Sequence, residues 1–366
     1  MRKNRTSPRG NGAKAPSIYD VAREARVSVF TVSAVMNKKD RVSATLARRV
    51  EAAIHKLNYR PNLLARSLAK QETHTLGMIV TDIANPFFPE IVRAAEDAAQ
   101  KAGYTLLLCN SDDKEEKEAK YLELLLSKRV DGIILNKTPG KLSAVQRQML
   151  SDAQVPVVLL MRTCSGLKTD LVQTDDRQGA VEAVSHLARI GHQAIGFVGG
   201  PMDVSNARAR REGYLSALQA NDLEHRPELT FEGDYRVDSG HRAGLALLSR
   251  RPDAVLVTNY LMTVGFMKAA DEIGMRCPED FALVSFDDYP WLGCFHPRLT
   301  TIELPKYELG DNSVRLLLER LSGKRSRATT ITLAPQLRVR ESCGFMLQRK
   351  NERDSNAARL ASQTGA

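Results

Sequence analysis

The fold of the amino-terminal part of the chain is decided by residues 17–68, SIYDVAREARVSVFTVSAVMNKKDRVSATLARRVEAAIHKLNYRPNLLARSL. Helical spacing of apolar residues predicts a first short helix after Ser17, with Asp20 three residues on as its capping partner. A second helix is predicted to start at Ser28 after a very short link, and a third to begin after Ser43. Helices joined this closely predict a compact helix-turn-helix module.

The apolar faces of these helices are predicted to form the core of the module. The inward-facing residues are Ile18, Val21, Ala22, Ala25, Val32, Val35, Leu46, Val50, Ile54 and Leu57. A module of this shape can place its second helix in the major groove of DNA. The alternative is a plain three-helix bundle whose serines only cap helices.

The stretch closely resembles the LacI/GalR family of bacterial transcriptional regulators, and the resemblance extends over roughly residues 17–340. It implies that hydroxyl and amide side chains hold DNA phosphates, which fix register, while Val29, Phe30 and Ala34 face outward and meet base edges. The DNA-binding residues implied between positions 17 and 60 are Ser17, Tyr19, Ser28, Val29, Phe30, Thr31, Ser33, Ala34, Asn37, Ser43 and Tyr59.

Two residues depart from the family pattern. Ala34 stands where an arginine is usual, so the operator is expected to differ from the common consensus of the family. Arg26 stands where glycine is usual in the turn, and a positive φ there costs a non-glycine residue about 1 kcal/mol. The turn is therefore either strained or differently shaped, or Arg26 reaches a phosphate.

Residues 61–73 are predicted to form a hinge helix and linker. The helix would be only about two turns long, which is marginal for an isolated helix in water, so it needs a partner. The resemblance implies that two such helices pair in the DNA minor groove, where Leu68 wedges between base pairs beside Asn62, Ala65 and Arg66. The alternative for Leu68 is an ordinary linker or core leucine.

Composition agrees with this reading. A chain of 366 residues is long enough for two or three domains, and a net charge of +10 favours a polyanionic partner. Residues 1–16 are basic and rich in proline and glycine, which predicts a disordered arm rather than a secretion signal. No apolar run approaches the ~20 residues of a membrane span, and the scattered cysteines have neither disulfide nor metal spacing. We expect a cytoplasmic protein without a cofactor.

From about residue 75 the pattern changes to short apolar runs that alternate with amphipathic helices. This alternation predicts parallel sheets covered by helices on both faces, and two sets of runs predict two lobes within residues 74–340. The chain is expected to return near residues 299–302 and to add a helix and a final strand to the first lobe. Residues 341–366 are predicted to be a polar tail without the leucine heptads of a tetramerising segment, so a homodimer is expected. The resemblance implies a periplasmic-binding-protein-like α/β fold.

Ligands in such folds bind beyond the carboxyl ends of the strands, here in the cleft between the lobes. The effector-binding residues implied by strand ends and resemblance are Phe87, Phe88, Asn136, Arg162, Arg210, Tyr235, Asn259 and Asp287. The alternatives are core packing for the phenylalanines and a solvated surface position for the arginines. Asp288 should point away from Asp287, because successive strand-end residues face opposite sides.

The expected effector is a sugar or sugar derivative, with a nucleobase or another small metabolite as the alternative. Tyr260 and Met161 stand where acidic or polar residues are frequent in the family, which predicts a less anionic pocket. The function expected is a sequence-specific transcriptional repressor whose affinity for a pseudo-palindromic operator in double-stranded DNA is controlled by that effector. The alternatives are a solute-binding protein or an enzyme on the same fold. They are disfavoured by the amino-terminal helices and by histidines without ligand or catalytic spacing.

Overall fold

The structure is a computed structural model that describes residues 16–36, 42–59, 72–294 and 296–345. It divides into two compact units, Met1–Thr73 and His74–Ala366. The predicted basic arm, most of the predicted hinge, and residues 346–366 of the predicted tail lie outside the described residues.

The first unit contains three helices in its described part: α1 (Ile18–Ala25), α2 (Val29–Met36) and α3 (Ala44–Lys56). Ser17 caps α1 with Asp20 as its partner, as predicted, because the Asp20 carboxylate accepts hydrogen bonds from the backbone nitrogen and the hydroxyl of Ser17, at 2.9 and 2.7 Å. Ser28 caps α2, since its Oγ accepts a bond from the backbone nitrogen of Thr31 at 3.1 Å. The core of the unit consists of Val21, Ala22, Ala25, Val32, Val50, Ala53 and Tyr59.

Arg26 occupies the turn between α1 and α2 in the left-handed region, with φ of +50°. A non-glycine residue there costs about 1 kcal/mol. The turn is supported from α3, because Arg49 Nη2 donates to the carbonyl oxygens of Ala25 at 2.7 Å and Arg26 at 3.1 Å. These carbonyls lie where a helix leaves its last acceptors without intrahelical partners. The sequence pattern does not reveal that Arg49 supports this turn.

The second unit begins with a run of alternating strands and helices. Its first half comprises β1 (Thr75–Val80), α4 (Phe87–Lys101), β2 (Thr105–Asn110), α5 (Glu115–Ser127), β3 (Gly132–Leu135), α6 (Ala144–Ala153), β4 (Val157–Leu160) and β5 (Asp170–Thr174). The second half comprises α7 (Asp176–Arg189), β6 (Ile195–Gly199), α8 (Ser205–Ala220), β7 (Thr230–Glu232), α9 (Val237–Leu248), β8 (Ala254–Val257), α10 (Tyr260–Glu272), β9 (Ala282–Phe286), β10 (Thr300–Glu303), α11 (Lys306–Leu321), β11 (Thr330–Leu333) and β12 (Gln336–Arg338).

The strands form two six-stranded sheets, each the centre of one lobe. The first has the order β11-β5-β4-β3-β1-β2 and is parallel throughout. The second has the order β12-β10-β9-β8-β6-β7, and its only antiparallel pair within the described residues is β10 with β12. Central strands β3, β4 and β8 are buried along their whole length, as expected of parallel strands covered by helices on both faces. The predicted two-lobed α/β fold is confirmed.

The path of the chain between the lobes differs from the prediction in one respect. Residues 299–302 do not return to the first lobe, because β10 pairs with β9 in the second sheet. Helix α11 and β11 then join the first lobe as expected, but a further strand, β12, returns to the second. The chain therefore crosses between the lobes three times, after β5, β10 and β11.

Residues 341–345, which were predicted to belong to the polar tail, are part of the second unit. Ser342 and Cys343 are fully buried. The Ser342 hydroxyl accepts a bond from the backbone nitrogen of Thr300 at 2.8 Å and donates to the carbonyl of Leu283 at 2.7 Å. These bonds attach residues 341–345 to the ends of β9 and β10. The segment is polar because it forms hydrogen bonds with the backbone of strand residues, and not because it is free in solvent.

Candidate functional site

A pocket lies in the second unit at the carboxyl ends of parallel strands from both sheets. It contains ≈ 590 Å³ of space not filled by atoms, a figure that includes its opening to solvent. The structure brings all eight of the predicted effector-binding residues to this pocket: Phe87, Phe88, Asn136, Arg162, Arg210, Tyr235, Asn259 and Asp287.

The lining also contains residues that the sequence analysis did not assign to it. They are Thr81, Asp82, Asn85, Asp113, Asn206, Asp234 and Arg236, and Met161, which was expected to make the pocket less anionic, lines it as well. Most of them follow β1, β2, β4 or β7 within a few positions. Applying the strand-end rule to every strand, rather than only to residues with a family counterpart, would have found these positions.

Arg210 extends from α8 into the pocket while its guanidinium is held on three sides. Nε donates to Asp176 at 2.7 Å, Nη2 lies 2.6 Å from the same carboxylate, and Nη1 donates to the carbonyl of Thr258. The guanidinium carbon stands 4.2 Å from the centre of the Phe286 ring. Burial opposes the charge of Arg210, but Asp176 and the other nearby acidic groups raise its pKa above the usual value, so the side chain stays a cation.

Arg162 follows β4 and is also engaged within the protein. Its Nη1 donates to Asp113 at 2.7 Å and to the carbonyl of Lys137 at 2.9 Å. Behind that carbonyl, Lys137 Nζ lies 2.8 Å from Glu118 Oε1 in an ion pair whose side chains are 1% and 0% exposed. Thr138 adds hydrogen bonds to this pair, because its oxygens accept from Lys137 Nζ and its backbone nitrogen donates to Glu118 Oε2. Buried polar contacts therefore support this wall of the pocket.

Three polar atoms of the lining have no hydrogen-bond partner within the described residues although each is buried: Asn136 Oδ1, Asn206 Oδ1 and the hydroxyl of Tyr235. Leaving a buried polar group unsatisfied costs about 1–3 kcal/mol, so such groups are rare unless something outside the chain satisfies them. That three meet in one pocket indicates a polar ligand.

Asp287 adds a buried carboxylate, 3% exposed, to the same space. The backbone nitrogen of Tyr260 donates to its Oδ2 at 3.3 Å, a long bond. Burial raises the pKa of Asp287 above its ordinary value, and the charge of Arg210 acts in the opposite direction. Asp287, Tyr235 and Met161 all have positive φ, between +63° and +73°, and strained backbone of this kind concentrates at binding sites.

The two phenylalanines and Asn259 stabilise the fold and also line the pocket. Phe87 and Phe88 belong to the main core of the unit and meet edge to face at 5.3 Å, yet both also line the pocket. Asn259 caps α10, because its Oδ1 accepts a bond from the backbone nitrogen of Met262 at 3.1 Å. Its oxygen is thus committed to the helix, and the amide nitrogen is the group left for a ligand.

Two expectations about neighbouring residues had opposite outcomes. Asp288 points away from the pocket as predicted, and both of its oxygens lie 2.8 Å from Arg340 nitrogens. Tyr260 does not line the pocket, so the prediction that it makes the pocket less anionic was wrong. Tyr260 is the first residue of α10, and its ring contacts Tyr289 and Trp291 instead. Trp291 Nε1 donates to the Tyr260 hydroxyl at 3.1 Å.

The first unit carries the residues predicted to contact DNA. Phe30 and Tyr19 are 79% and 67% exposed, an unusual state for aromatic residues in a small module. Ser28 and Ser43 are exposed, and Thr31 and Ser33 are half-buried. Asn37, Asn62, Ala65, Arg66 and Leu68 lie outside the described residues.

Three positions on this surface differ from the prediction. Ala34 is buried, 7% exposed, rather than outward-facing, because a methyl group ends close to the helix backbone and does not extend past its larger neighbours. Val29 is half-buried and packs against the core. Tyr59 is 9% exposed and belongs to that core, where its large ring fills space that the small alanines of α1 and α3 leave. Phe30 is therefore the apolar residue of α2 that is available to a partner.

No group of three or more potential metal ligands occurs among the residues that the structure describes. In the same part of the chain, no helix is both long enough and apolar enough to cross a membrane.

Comparisons with known proteins extend these observations. The profile of the bacterial regulatory proteins of the lacI family matches residues 17–62, and that of the periplasmic binding protein-like domain matches residues 184–343. The chain is 38% identical over 328 residues to the ribose operon repressor of Halalkalibacterium halodurans, covering 89% of this chain and 96% of the relative. It is 36% identical to the transcriptional repressor PurR of Mannheimia succiniciproducens, covering 89% and 98%.

Solved structures agree in fold. The Lac repressor dimer bound to operator and the anti-inducer ONPF superposes with a TM-score of 0.79 at 30% identity, over 90% of this chain and 99% of that one. The CelR–cellobiose complex gives 0.68 at 30% identity, over 89% and 99%. A regulator of Enterococcus faecium with bound ribose gives 0.65 at 30% identity, over 73% and 98%.

Proposed function

The chain belongs to the lacI family of bacterial regulatory proteins, and from that premise we propose that it is a transcriptional repressor whose affinity for an operator is set by a small sugar bound in the pocket of the second unit. The observation that carries the proposal is the pocket with three buried, unpartnered polar atoms on the same chain as a helix-turn-helix unit. The protein would act in the cytoplasm, where it meets DNA.

The DNA-binding half of the proposal rests on the first unit. Exposed Phe30 on α2 offers apolar contact to a thymine methyl group, while Tyr19, Ser28 and Ser43 offer hydroxyls to phosphates. Most of the binding energy would come from phosphate neutralisation by the basic chain, so binding should weaken steeply with salt.

The sugar half rests on the composition of the pocket. Amide, carboxylate and guanidinium groups fix hydroxyls, while Phe87 and Phe88 provide an apolar wall for the face of a sugar ring. Two solved relatives hold sugars, cellobiose in CelR and ribose in the Enterococcus faecium regulator, which supports the same chemistry here.

We also propose a homodimer, which is supported by the size of one DNA-binding unit and by a feature of the first sheet. A single short module buries too little surface for tight specific binding, so two copies are needed on a pseudo-palindromic site. Strand β2 lies at the edge of its sheet, with the sequence TLLLCN and no charged residue or proline to prevent pairing. Its residues Leu107 and Leu108 are 38% and 41% exposed. We assign this edge to the contact between the two copies.

Two binding measurements on the full-length chain test the proposal. Duplexes selected from a random library should bind with an affinity that falls steeply as salt rises. A panel of mono- and disaccharides should contain at least one member that raises the thermal unfolding temperature in proportion to its occupancy. Failure to enrich any duplex would refute the DNA-binding half, and failure of every sugar would refute the sugar half.

A further inference from the structure

We propose that the pocket selects an uncharged, hydroxyl-rich ligand and rejects anionic derivatives such as sugar phosphates, because its buried arginines are already neutralised by internal carboxylates. This inference rests on the proposed ligand site and specifies the chemical class that the site accepts.

The first argument concerns charge. Arg210 is paired with Asp176 at 2.6 Å and Arg162 with Asp113 at 2.7 Å, so neither guanidinium is free to neutralise an anion. The lining contains four aspartates and three arginines, and Asp176 places a fifth carboxylate against Arg210. The pocket as a whole therefore repels a phosphate, which carries between one and two negative charges at neutral pH and whose desolvation requires compensation.

The second argument concerns hydrogen-bond polarity. The amide of Asn136 has a fixed orientation, because its Nδ2 donates to the carbonyl of Leu160 at 2.9 Å. The unpartnered atom that remains is an acceptor, Oδ1, and the carboxylate of Asp287 is a second acceptor in the lining. Two hydroxyls of a sugar can donate to these acceptors, one to each, whereas a dianionic phosphate group has only acceptor oxygens and would leave them unsatisfied.

The experiment compares each neutral sugar with its own phosphate by calorimetry on the full-length protein, using ribose with ribose 5-phosphate and glucose with glucose 6-phosphate. In the pair whose sugar binds, we expect the neutral sugar to bind at least tenfold more tightly than its phosphate. Inorganic phosphate, tested alone, should not raise the unfolding temperature of the wild type at millimolar concentration. A phosphate that binds as tightly as its neutral sugar, or stabilisation by inorganic phosphate, would overturn the inference.

A matched pair of variants tests the cause. Asp113→Asn releases Arg162 from its carboxylate, so the affinity for a sugar phosphate or inorganic phosphate should rise threefold to tenfold. Asp112→Asn removes the same charge one residue earlier, outside the lining, and should leave the selectivity at the wild-type value. Both aspartates have positive φ, which asparagine tolerates, so both variants should fold. Equal selectivity in the two variants would contradict the proposed role of internal neutralisation.

These outcomes are distinct from failure of the proposed function. If a neutral nucleobase bound and no sugar did, the sugar proposal would fail while the selection against anions stood. If a sugar phosphate bound tightly and controlled DNA affinity, the repressor proposal would stand and the present inference would fail.

Discussion

At Tyr235, the contribution of a side chain to ligand affinity can be measured separately from its contribution to stability. Its hydroxyl is buried without a hydrogen-bond partner in the described chain, and burial raises the pKa of Tyr235 to about 12, so the group stays protonated and can donate to a ligand. Tyr235→Phe should leave the unliganded protein as stable as the wild type or slightly more stable. It should weaken sugar binding by about 1–2 kcal/mol, or roughly 5- to 30-fold, measured by calorimetry.

Tyr214 is the matched control for that substitution. Its hydroxyl is equally buried but donates to the carbonyl of Ile195 at 2.8 Å, away from the pocket lining. Tyr214→Phe should lower the unfolding free energy by about 1 kcal/mol and leave the sugar affinity unchanged. The opposite pattern, with Tyr235→Phe destabilising and ligand affinity unaffected, would refute the assigned role of Tyr235.

Glu341 makes stability depend on pH in the acid range. The backbone and side-chain nitrogens of Arg298 donate to its carboxylate at 2.8–3.0 Å and lower the pKa of Glu341 to about 2, against 4.5 for an unperturbed glutamate. A carboxyl whose pKa is depressed on folding stabilises the protein above its unfolded pKa. That contribution is lost as pH falls from about 4.5 through about 2.

The substitution Glu341→Gln should therefore cost about 1–2 kcal/mol of unfolding free energy at neutral pH. The difference from wild type should shrink steadily below pH 4.5, as measured by urea unfolding at several pH values. A difference that stayed constant down to the acid limit would show that the hydrogen bonds to Glu341 do not depend on its charge.

At the level of single residues, the sequence predicted positions in the pocket better than positions in the DNA-binding unit. Strand ends of parallel sheets converge at one edge, so Asn136, Arg162 and Asp287 could be assigned without knowledge of contacts. Exposure on a short helix depends on neighbouring side chains. For that reason Ala34 and Tyr59 were expected at the surface and are buried. Internal pairing, such as Asp176 with Arg210, joins segments far apart in sequence and was not predictable.

At the level of elements, the turn between α1 and α2 depends on a donor from α3. Arg49→Met removes the bonds to the carbonyls of Ala25 and Arg26, which should cost about 1 kcal/mol. Amide hydrogen exchange in α1 and α2 of the full-length chain should then accelerate about fivefold, the factor that corresponds to this free energy. Arg48→Met is the matched control, because Arg48 is exposed on the same helix and its removal changes the charge equally. Equal effects of both substitutions would contradict the capping role of Arg49.

The edge strand β2 provides a second prediction at this level. Replacing Leu107 and Leu108 together by lysine should convert the proposed dimer to a monomer, because charges at an exposed strand edge prevent pairing. Sedimentation velocity measures the outcome. Leu245→Lys is the control, since Leu245 is a similarly exposed leucine, 37% accessible, on α9 of the other lobe. A double variant that remained dimeric would place the interface elsewhere.

The elements most visible in the sequence were those with long apolar runs or clear helical periodicity. The short apolar runs predicted from about residue 75 include strands β1, β3 and β8, because buried parallel strands are continuously apolar. Strands β7 and β12 were not identified, since these short edge strands carry polar residues that resemble loops. The final strand expected in the first lobe is β11, whereas the return of β12 to the second lobe was not expected; the two-lobed fold itself was predicted correctly.

At the scale of the whole molecule, the three crossings between the lobes are the feature that can transmit ligand binding. We expect a ligand held by residues of both lobes to stabilise one angle between them, as in hinge closure of two-lobed binding proteins. A shift of this kind can change operator affinity only by the difference in ligand affinity between the two arrangements, typically 1–3 kcal/mol. Linkage requires that operator DNA changes sugar affinity by the same factor.

The most direct test measures the affinity of the full-length protein for its selected duplex at fixed salt, with and without a saturating concentration of the sugar that calorimetry shows to bind. The account predicts a change of roughly 5- to 150-fold in the dissociation constant, with an equal change in sugar affinity when the duplex is saturating. An identical dissociation constant in the presence and absence of the bound sugar would contradict it.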